Sequence, residues 1–506
     1  MRDQDLDEKL NKAFEALSSL SRLAYRDVFL LSNQVLSKNP FASRFLNHYL
    51  RGKDIPGFSL GTILRKMSMY YLSSIGHFIL YFLRYAVYHY CGIPHDTKCH
   101  RSELTIVDTF FLCDRICQSG SFQEAYFQGL DAVLQDVGVD YAYLPVYYNC
   151  HGIRRFNHVH KILKKDKIPL LSEFHILKKS DLWRILLFIM IYPWRVWLFV
   201  TALTVNNKDE EMAAREMIHT LDQVTFYSYS RYLQGKRISE WPIDKIKVIS
   251  WFENQVIDKC LYKGLRTNSR KVFIYGAQLF LYSKMDLNII VDEGEKEFGI
   301  IPDQIVVNGP HFIPKDTGCL HYKVGPSLRY REQFRTAEKK ATGGSILVLL
   351  SYSQEDNVNI LRILSATKLS SQALIIKPHP ATSVDDIKGY LKKNWKLEEE
   401  NLYALLQKIG LVIGSASGSL LEAASMGIPV IRIKNLHGFD YQILPELGEG
   451  IIWDEVEDAE KLENVTSKYT HMSDHEISKM MEIAATYKNQ YFCEPTREQI
   501  VKSFDL

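Results

Sequence analysis

The feature that most constrains the fold is a regular alternation of short apolar runs and helix-like segments between residues 345 and 433. The apolar runs are SILVLLSYS, SQALIIKPHP, LVIGSASG and IPVIRIK, and the segments between them are EDNVNILRILSAT, NLYALLQKIG and SLLEAASMG. Strands that alternate with helices across short loops form parallel sheets with crossover connections. The sequence therefore predicts a parallel α/β domain in this part of the chain.

A looser version of the same alternation runs through the first half of the chain. Strand candidates are LTIVDTFFL, DYAYLPVYY, KIPLLSEF, KIKVIS and RKVFIYGAQ, and helix candidates include FQEAYFQGLDAVLQDV. At 506 residues the chain is too long for one compact core. We therefore predict an α/β protein with two Rossmann-like parallel-sheet domains that face a cleft, where ligands bind at the carboxyl ends of the strands.

Changes in composition predict the domain boundaries. Residues 1–100 have helical spacing throughout, and AEKKATGG, at 337–344, has the composition of a linker. The expected division is a helical region at 1–100, a first sheet domain at 101–340, a second at 341–475 and C-terminal helices at 476–506. An amphiphilic helical insertion is expected at about 178–240.

Charge and cysteine content limit the partners and the compartment. A net charge of +3 gives no electrostatic case for nucleic acid binding. The eight cysteines are irregularly spaced, which is typical of reduced thiols in the cytoplasm. The N-terminal segment carries charges of both signs and no signal-peptide apolar region, so we expect a cytoplasmic protein.

Two segments, 69–90 and 182–205, are long and apolar enough to approach a bilayer span. Both contain cationic side chains, which are costly in the middle of a span, and both are rich in aromatic residues suited to a membrane interface. Buried core helices, interfacial helices and spanning helices all remain open. We expect peripheral association with the membrane rather than insertion across it.

A serine-rich loop follows the predicted strand LVIG. Ser415, Ser417, Gly418 and Ser419 combine hydroxyl donors with a small residue that allows a phosphate to approach the backbone, and a helix is predicted to begin here. Glu422, one helical turn later, has a carboxylate that can accept hydrogen bonds from ribose hydroxyls. The alternative is an ordinary strand–helix loop with a serine cap.

The run LIIK ends in a stiff turn that contains Lys377, His379 and Pro380. Prolines remove backbone donors and stop a strand, so the turn holds the histidine at the carboxyl edge of the sheet. The histidine can donate to a phosphate oxygen and the lysine adds positive charge. A simple strand-ending turn is the alternative.

Three carboxylates follow apolar runs in the first domain and are candidate general bases: Glu253, Asp108 and Glu173. Partial desolvation at such positions raises a carboxyl pKa, although helix caps and ion pairs produce the same pattern. Glu253 is preferred because WFENQ gathers acid, amide and aromatic side chains, and Asp108 is second. Arg266 and Gln278 are candidates for acceptor binding.

No pattern in the sequence requires a metal. CGIPHDTKCH, at 91–100, fits no common zinc spacing. The adjacent Asp385 and Asp386 are predicted to cap a helix in DDIKGYLKK. The acidic VDEG, at 291–294, matches in letters the acidic pair plus glycine of sialyltransferases, but it lies late, near the domain boundary, and we interpret the match as accidental.

Residues 345–440 resemble the nucleotide-binding domain of GT-B glycosyltransferases through IIKPHP and LVIGSASGSLLEAASMGIPVI. Bacterial sialyl-, Kdo- and CDP-alditol polymer transferases have similar His-Pro and paired-serine motifs, in which these side chains bind the donor phosphate. The first half is similar, more loosely, to transferases of surface polysaccharides such as lipopolysaccharide and capsule. The carrying segments include VDTFFL, SWFENQVIDKCLYKGLR and YKVGPSLRYRE.

The resemblance implies a metal-independent glycosyltransferase with a nucleotide-sugar as co-substrate and no other cofactor. The donor is expected to be CMP-linked, with UDP, GDP and CDP open, and the acceptor is a lipid-linked or surface glycan. The enzyme is expected at the inner face of the bacterial cytoplasmic membrane. Alternatives are a nonhydrolysing sugar-nucleotide 2-epimerase and a non-catalytic GT-B-like scaffold in a polysaccharide assembly complex.

Overall fold

The structure is a computed structural model of the chain. It describes residues 3–90, 103–204, 207–268, 272–335, 344–379, 384–398, 400–435 and 440–506. Within these ranges the chain forms two separate six-stranded sheets, each with every neighbouring pair of strands parallel. The predicted α/β class, with two parallel-sheet domains, is confirmed.

The first sheet has the strand order β2-β1-β3-β4-β5-β6. Its central strands are buried along most of their length, as expected for strands covered on both faces. The strands are β1 (Glu103–Leu112), β2 (Tyr141–Tyr148), β3 (Lys245–Trp251), β4 (Val272–Gln278), β5 (Gln304–Val307) and β6 (Tyr322–Val324).

The second sheet has the order β12-β11-β10-β7-β8-β9. The chain order reverses between β7 and β10, which places a crevice at the carboxyl ends of these two strands. The strands are β7 (Ser345–Leu349), β8 (Leu374–Lys377), β9 (Lys396–Leu397), β10 (Ile409–Gly414), β11 (Val430–Ile433) and β12 (Trp453–Val456).

Helices cover the sheets and make up the N-terminal region and the insertion. Those before β3 are α1 (Asp3–Ala24), α2 (Val28–Leu31), α3 (Phe45–Leu50), α4 (Leu60–Tyr90), α5 (Cys113–Ser119), α6 (Leu130–Asp136), α7 (Gly152–Lys165), α8 (Glu173–Ile176), α9 (Lys179–Ala202), α10 (Lys208–His219) and α11 (Phe226–Ser239). Those after β3 are α12 (Val256–Leu265), α13 (Glu293–Glu297), α14 (Arg331–Arg335), α15 (Gln354–Ser365), α16 (Leu402–Leu406), α17 (Ser419–Ser425), α18 (Ala459–Thr470), α19 (Asp474–Tyr491) and α20 (Arg497–Phe504).

A buried ion network joins the N-terminal region to the first sheet domain. The Glu295 carboxylate lies 2.8 Å from the Lys259 ammonium and 3.2 Å from the Lys38 ammonium, and it accepts a hydrogen bond from the Tyr25 hydroxyl. Burial alone would raise the pKa of Glu295, but the two ammonium groups hold it well below its usual range. Asp292 of VDEG caps α13 and contacts Lys38, so this acidic motif has a structural role.

The C-terminal helices cross back from the second sheet to the first. The Asn308 amide donates to the Tyr491 carbonyl at the end of α19. Ile500 and Phe504 of α20 are buried in the core of the first domain, and the Tyr275 hydroxyl of β4 donates to Asp505 at 2.6 Å. The last thirty residues thus hold the two sheet domains together.

Three predictions of local structure were wrong. KIPLLSEF makes only one parallel bridge, between Leu170 and Tyr143, because Pro169 has no backbone donor. FQEAYFQGLDAVLQDV becomes helical only at α6, after Gly129 with φ 79°. DDIKGYLKK forms two 3₁₀ turns, Val384–Asp386 and Lys388–Tyr390, in place of a capped helix.

Candidate active site in the cleft between the sheets

The carboxyl ends of the two sheets face each other across a cavity of 670 Å³. The loops after β7, β8 and β10 form one wall, and loops of the first domain form the other. Polar or aromatic wall residues of the second domain are Tyr352, Lys377, His379, Glu400, Asn401, Tyr403, Ser417, Ser419, Glu422 and Tyr441. Those of the first domain are Arg115, Gln123, Gln128, Phe280, Arg329, Tyr330 and Glu332.

The serine-rich loop lies in this wall. Ser417, Gly418 and Ser419 line the cavity, and the Ser417 hydroxyl oxygen accepts a hydrogen bond from the Ser419 backbone N–H at 3.3 Å. Ser415 is buried and is not one of the described residues that line the cavity. The helix that follows, α17, has only 7 residues. Donation to a ligand would therefore come mainly from the serine hydroxyls.

Glu422 closes the back of this loop. One carboxylate oxygen accepts a hydrogen bond from the Tyr403 hydroxyl at 2.5 Å, and the other accepts from the Ser419 hydroxyl at 3.3 Å. Burial raises the pKa of Glu422, although Tyr403 partly opposes the shift. Because it lines the cavity, Glu422 can accept hydrogen bonds from the hydroxyls of a bound sugar or ribose.

His379 stands directly after β8, where the stiff turn was predicted to hold it. It lines the cavity, and burial lowers its pKa, with the positive charge of Arg329 acting in the same direction. A neutral imidazole carries one N–H, which can donate to a ligand. The Lys377 ammonium also reaches the cavity and donates to the Glu400 carbonyl at 2.6 Å. Pro380 lies outside the described residues.

Arg329 is a cavity residue that the sequence analysis missed. Its guanidinium lies 5.4 Å from the centre of the Tyr126 ring and 5.8 Å from that of Trp251. Within the described ranges it forms no salt bridge, while it faces the cavity from the wall opposite His379. A guanidinium that is held by aromatic faces and forms no salt bridge with a described residue is suited to phosphate. No spacing in YKVGPSLRYRE marks this arginine out.

Two of the candidate carboxylates lie away from the cavity. The predicted strand LTIVDTFFL already runs past Asp108, and β1 does continue to Leu112, so Asp108 is buried in mid-strand and not at a strand end. It accepts hydrogen bonds from the Arg231 guanidinium and from the Ser250 hydroxyl. Glu173 begins α8 and accepts a hydrogen bond from the Tyr81 hydroxyl at 2.8 Å. Both side chains hold neighbouring elements together.

Glu253 follows β3, as predicted, but it lies one layer behind the cavity wall. Its carboxylate accepts a hydrogen bond from the Trp251 indole N–H at 2.9 Å, and the Trp251 ring packs against Phe280, which lines the cavity. The next residue, Asn254, has φ 53°, a left-handed conformation that is uncommon outside glycine. The base role of Glu253 stays a prediction.

The two acceptor candidates also lie outside this cavity. Arg266 is at the amino-terminal edge of the first sheet, opposite the cleft, where its guanidinium pairs with Asp303 at 3.0 Å. Arg266 lies at this edge because it precedes β4 and does not follow a strand. Gln278 does end β4, but it is buried and donates to the Ile289 carbonyl beside a separate cavity of 420 Å³.

Glu124 is a second residue that the sequence analysis missed. It lies between Gln123 and Ala125, which line the cavity. One carboxylate oxygen accepts from the backbone N–H groups of Tyr126 and Phe127, whereas the other is buried without a partner. Burial raises the pKa of Glu124 to about 7. A carboxyl group with such a pKa can give or take a proton near neutral pH.

Metal-binding groups do not cluster within the described ranges. No three His, Cys, Asp or Glu side chains there come together as a metal site would require. The segment CGIPHDTKCH, considered above for zinc, lies outside the described residues.

Comparisons with known proteins give distant structural likenesses. No protein-family model matches the chain, and no curated protein does. A MurG structure from Acinetobacter baumannii has 12% identity and a TM-score of 0.39, over 79% of this chain and 99% of that one. The UDP-GlcNAc 2-epimerase of Methanocaldococcus jannaschii, in complex with UDP-GlcNAc and UDP, has 13% identity and a TM-score of 0.41, over 79% and 98%.

The glycosyltransferase SnogD of Streptomyces nogalater has 12% identity and a TM-score of 0.40, over 80% of this chain and 98% of that one. At these identities and TM-scores, the comparisons carry no inference about a substrate or a reaction. The function has to be argued from the side chains in the cleft.

Proposed function

We propose that the chain is a glycosyltransferase that moves a sugar from a nucleotide-sugar donor to a lipid-linked or surface-glycan acceptor. The observation that carries the proposal is one cavity in which serine hydroxyls, an imidazole and a guanidinium without a salt bridge among the described residues converge from the loops of both sheet domains. This set suits a diphosphate or phosphodiester next to sugar hydroxyls.

The second domain would hold the nucleotide. Ser417 and His379 offer hydrogen-bond donors to phosphate oxygens, Ser419 can do so once its hydroxyl turns away from Glu422, and Glu422 offers an acceptor to a ribose. Arg329 approaches from the first domain and would neutralise the charge that develops on the leaving phosphate, as preorganised cations do in transferases. Binding at both walls would also draw the two domains together around the reacting groups.

The identity of the donor is proposed as CMP-linked, from the pairing of His-Pro with the serine loop. The acceptor would enter from the first domain, and Glu253 is proposed as the base that deprotonates its hydroxyl. The enzyme is proposed to work at the inner face of the bacterial cytoplasmic membrane, in the synthesis of lipopolysaccharide or capsule, without a metal.

Calorimetric titration with CMP, CDP, UDP and GDP tests nucleotide binding. We expect one nucleotide to bind, and the double variant Ser417→Ala/Ser419→Ala to bind it at least about tenfold more weakly, because two hydrogen bonds to a charged group are lost. Ser467→Ala, an exposed serine on α18, is the control. Failure of every nucleotide to bind would contradict the proposal and favour a scaffold.

Incubation of the matching sugar nucleotide separates transfer from epimerisation. A transferase needs an acceptor for turnover, so the donor alone should remain unchanged apart from slow hydrolysis. Conversion of the free donor to its 2-epimer would replace the proposal by a 2-epimerase.

A further inference from the structure

Two neighbouring helices, α4 and α9, carry an apolar face that no other described part of the chain covers. More than half of the exposed large apolar side chains of the described residues lie on these two helices. We call this surface the apolar face. It consists of Leu64, Leu72, Ile75, Ile79, Phe82 and Leu83 on α4 and of Trp183, Leu187, Met190, Trp194 and Leu198 on α9.

The inner sides of both helices belong to the core of the first domain. On α9, Phe188 and Tyr192 are fully buried, and the Tyr192 hydroxyl accepts a hydrogen bond from the Asn33 amide at 3.0 Å. On α4, the Tyr81 hydroxyl donates to Glu173 at 2.8 Å. These polar contacts would be lost if either helix left the domain.

By length and composition, α9 alone among the described helices could cross a membrane, and 33% of its most apolar window is buried. Crossing would require its inner side to leave the core and to break the contact with Asn33. A helix with one face packed and the other exposed lies along a membrane surface instead.

Helix α7 carries a stripe of basic side chains on its exposed side. Helix α7 packs against α4 and exposes Arg154, His158, Lys161 and Lys165, which recur every three or four residues along one side of the helix. Within the described ranges none of these four forms an ion pair with a carboxylate. We call these residues the basic stripe.

We propose that the apolar face and the basic stripe together form a docking site for an anionic phospholipid bilayer. Apolar and tryptophan side chains would enter the boundary between headgroups and acyl chains, and the cations would meet the phosphates. A second copy of this chain fits less well, because a symmetric contact would bring two basic stripes together. This proposal does not depend on the transferase function.

The docking site adjoins the proposed active site. Helix α7 also packs against α5, whose Arg115 lines the cleft. Bilayer docking would therefore hold the first-domain wall of the cleft close to the membrane. If the proposed function holds, an acceptor anchored in that bilayer would reach the cleft without leaving the membrane.

Sedimentation with vesicles tests the docking site directly. The purified full-length chain is mixed with vesicles of phosphatidylcholine alone, or with vesicles that also contain about 30% anionic phosphatidylglycerol to give a negative surface potential. Both mixtures are measured at low and at high salt. We expect binding to the anionic vesicles that weakens with salt, and weaker binding to the neutral ones. An alkaline carbonate wash should release the protein.

Matched variants separate the two parts of the site. Leu72→Glu/Leu187→Glu introduces charge at positions that are 79% and 55% exposed, and should abolish binding to both kinds of vesicle. Lys161→Glu/Lys165→Glu should weaken binding to anionic vesicles by at least about tenfold and leave binding to neutral ones nearly unchanged. The controls are Leu447→Glu, at 57% exposed, and Lys392→Glu/Lys393→Glu on the second domain.

Several outcomes would overturn the proposal. The docking site is wrong if the wild-type chain binds no vesicles, or if both sets of variants bind as the controls do. Full retention after the carbonate wash would indicate a spanning helix. A wild-type dimer that becomes monomeric in Leu72→Glu/Leu187→Glu, without vesicle binding, would assign the face to a second copy of the chain.

Discussion

His379 and Arg329 face one cavity from opposite walls, and the surroundings of each side chain make it suited to bind an anionic ligand. Burial keeps the imidazole neutral, and three aromatic rings support the guanidinium. Neither residue type would indicate a site by itself. It is their approach to the same volume, in company with Ser417 and Ser419, that makes phosphate the ligand that fits best.

Replacement of His379 by Ala should weaken nucleotide binding by about 1–3 kcal/mol, which is the value of a hydrogen bond to a charged group. Calorimetric titration measures the change, and far-UV circular dichroism should show an unchanged fold. His471→Ala, on an exposed helix end, is the control. Equal affinity in His379→Ala and wild type would remove His379 from the phosphate site.

Replacement of Glu253 by Gln should lower turnover on the order of 100- to 10,000-fold with donor affinity unchanged, if Glu253 is the base. Asp108→Asn should instead lower the free energy of unfolding by about 3–5 kcal/mol, because it leaves the buried Arg231 guanidinium without its carboxylate. Turnover assays and urea unfolding separate the two effects. A Glu253→Gln enzyme with normal turnover would remove Glu253 from the mechanism.

Glu124 should make the stability of the protein fall as pH rises. Its carboxyl pKa is raised from 4.5 to about 7 in the folded chain, so the folded state binds the extra proton between these pH values. This contribution is complete below pH about 4.5 and is lost, by roughly 3 kcal/mol, as pH rises through about 7. Urea unfolding at a series of pH values should show a shallower fall in Glu124→Gln. Identical slopes would contradict the assignment.

Helices α11 and α12 approach each other more closely than ordinary helices because a glycine faces the partner backbone on each. A Cβ added to Gly235 would lie 2.3 Å from the Leu261 carbonyl oxygen, and one added to Gly264 would lie 2.1 Å from the Tyr232 carbonyl oxygen. Helix α12 follows β3, and α11 precedes it. The spacing of these helices therefore sets the position of the loop that carries Glu253.

Substitution of Gly235 by Ala should lower the free energy of unfolding by more than about 2 kcal/mol, because the helices must move apart and lose packing. Gly76→Ala is a matched control within α4, where an added Cβ meets nothing within 4 Å. Helix propensity should make that control neutral or more stable by up to about 1 kcal/mol. Urea unfolding measures both. Equal effects of the two substitutions would mean that the close approach is not required.

The whole molecule is held together by the return of its C-terminus to the first sheet. Helix α19 leaves the second domain, and α20 buries Ile500 and Phe504 in the core of the first. The two walls of the cleft are linked a second time by the Gln333 amide, which donates to the Ser425 hydroxyl at 2.6 Å. The cleft is therefore bounded by domains that are connected on more than one side.

Substitution of Phe504 by Ala should destabilise the first domain by about 3–5 kcal/mol through the cavity it leaves. Lys502→Ala, an exposed position on the same helix, should change stability by less than about 0.5 kcal/mol. Thermal unfolding, followed by circular dichroism, compares the two variants. Equal melting curves would show that α20 contributes little to the first domain.

The sequence was most informative where the signal is local and repeated. Alternating runs predicted both parallel sheets, and the stiff turn and the serine loop predicted the places of His379 and Ser417 at strand ends. The predicted positions of candidate site residues were wrong where the packing of distant elements, and not the local sequence, decides the position. Asp108 follows Thr105, Ile106 and Val107, but it lies inside β1, which pairs with β2 as far as Leu112. Arg266, a candidate for acceptor binding, follows helix α12 and precedes β4, on the far edge of the sheet.

By itself the sequence determined the fold class, the two-domain division of the strands and the second-domain wall of the cleft, because these depend on periodicity and on turn chemistry within a few residues. Only the tertiary structure decided that Arg329 and Glu124 belong beside the cavity and that Glu253 lies behind Phe280. It also decided that α4 packs against both α9, which likewise exposes apolar side chains, and α7, which exposes the basic stripe. Such groupings join residues far apart in the chain, and their physical cause is the packing of whole elements, which no local pattern encodes.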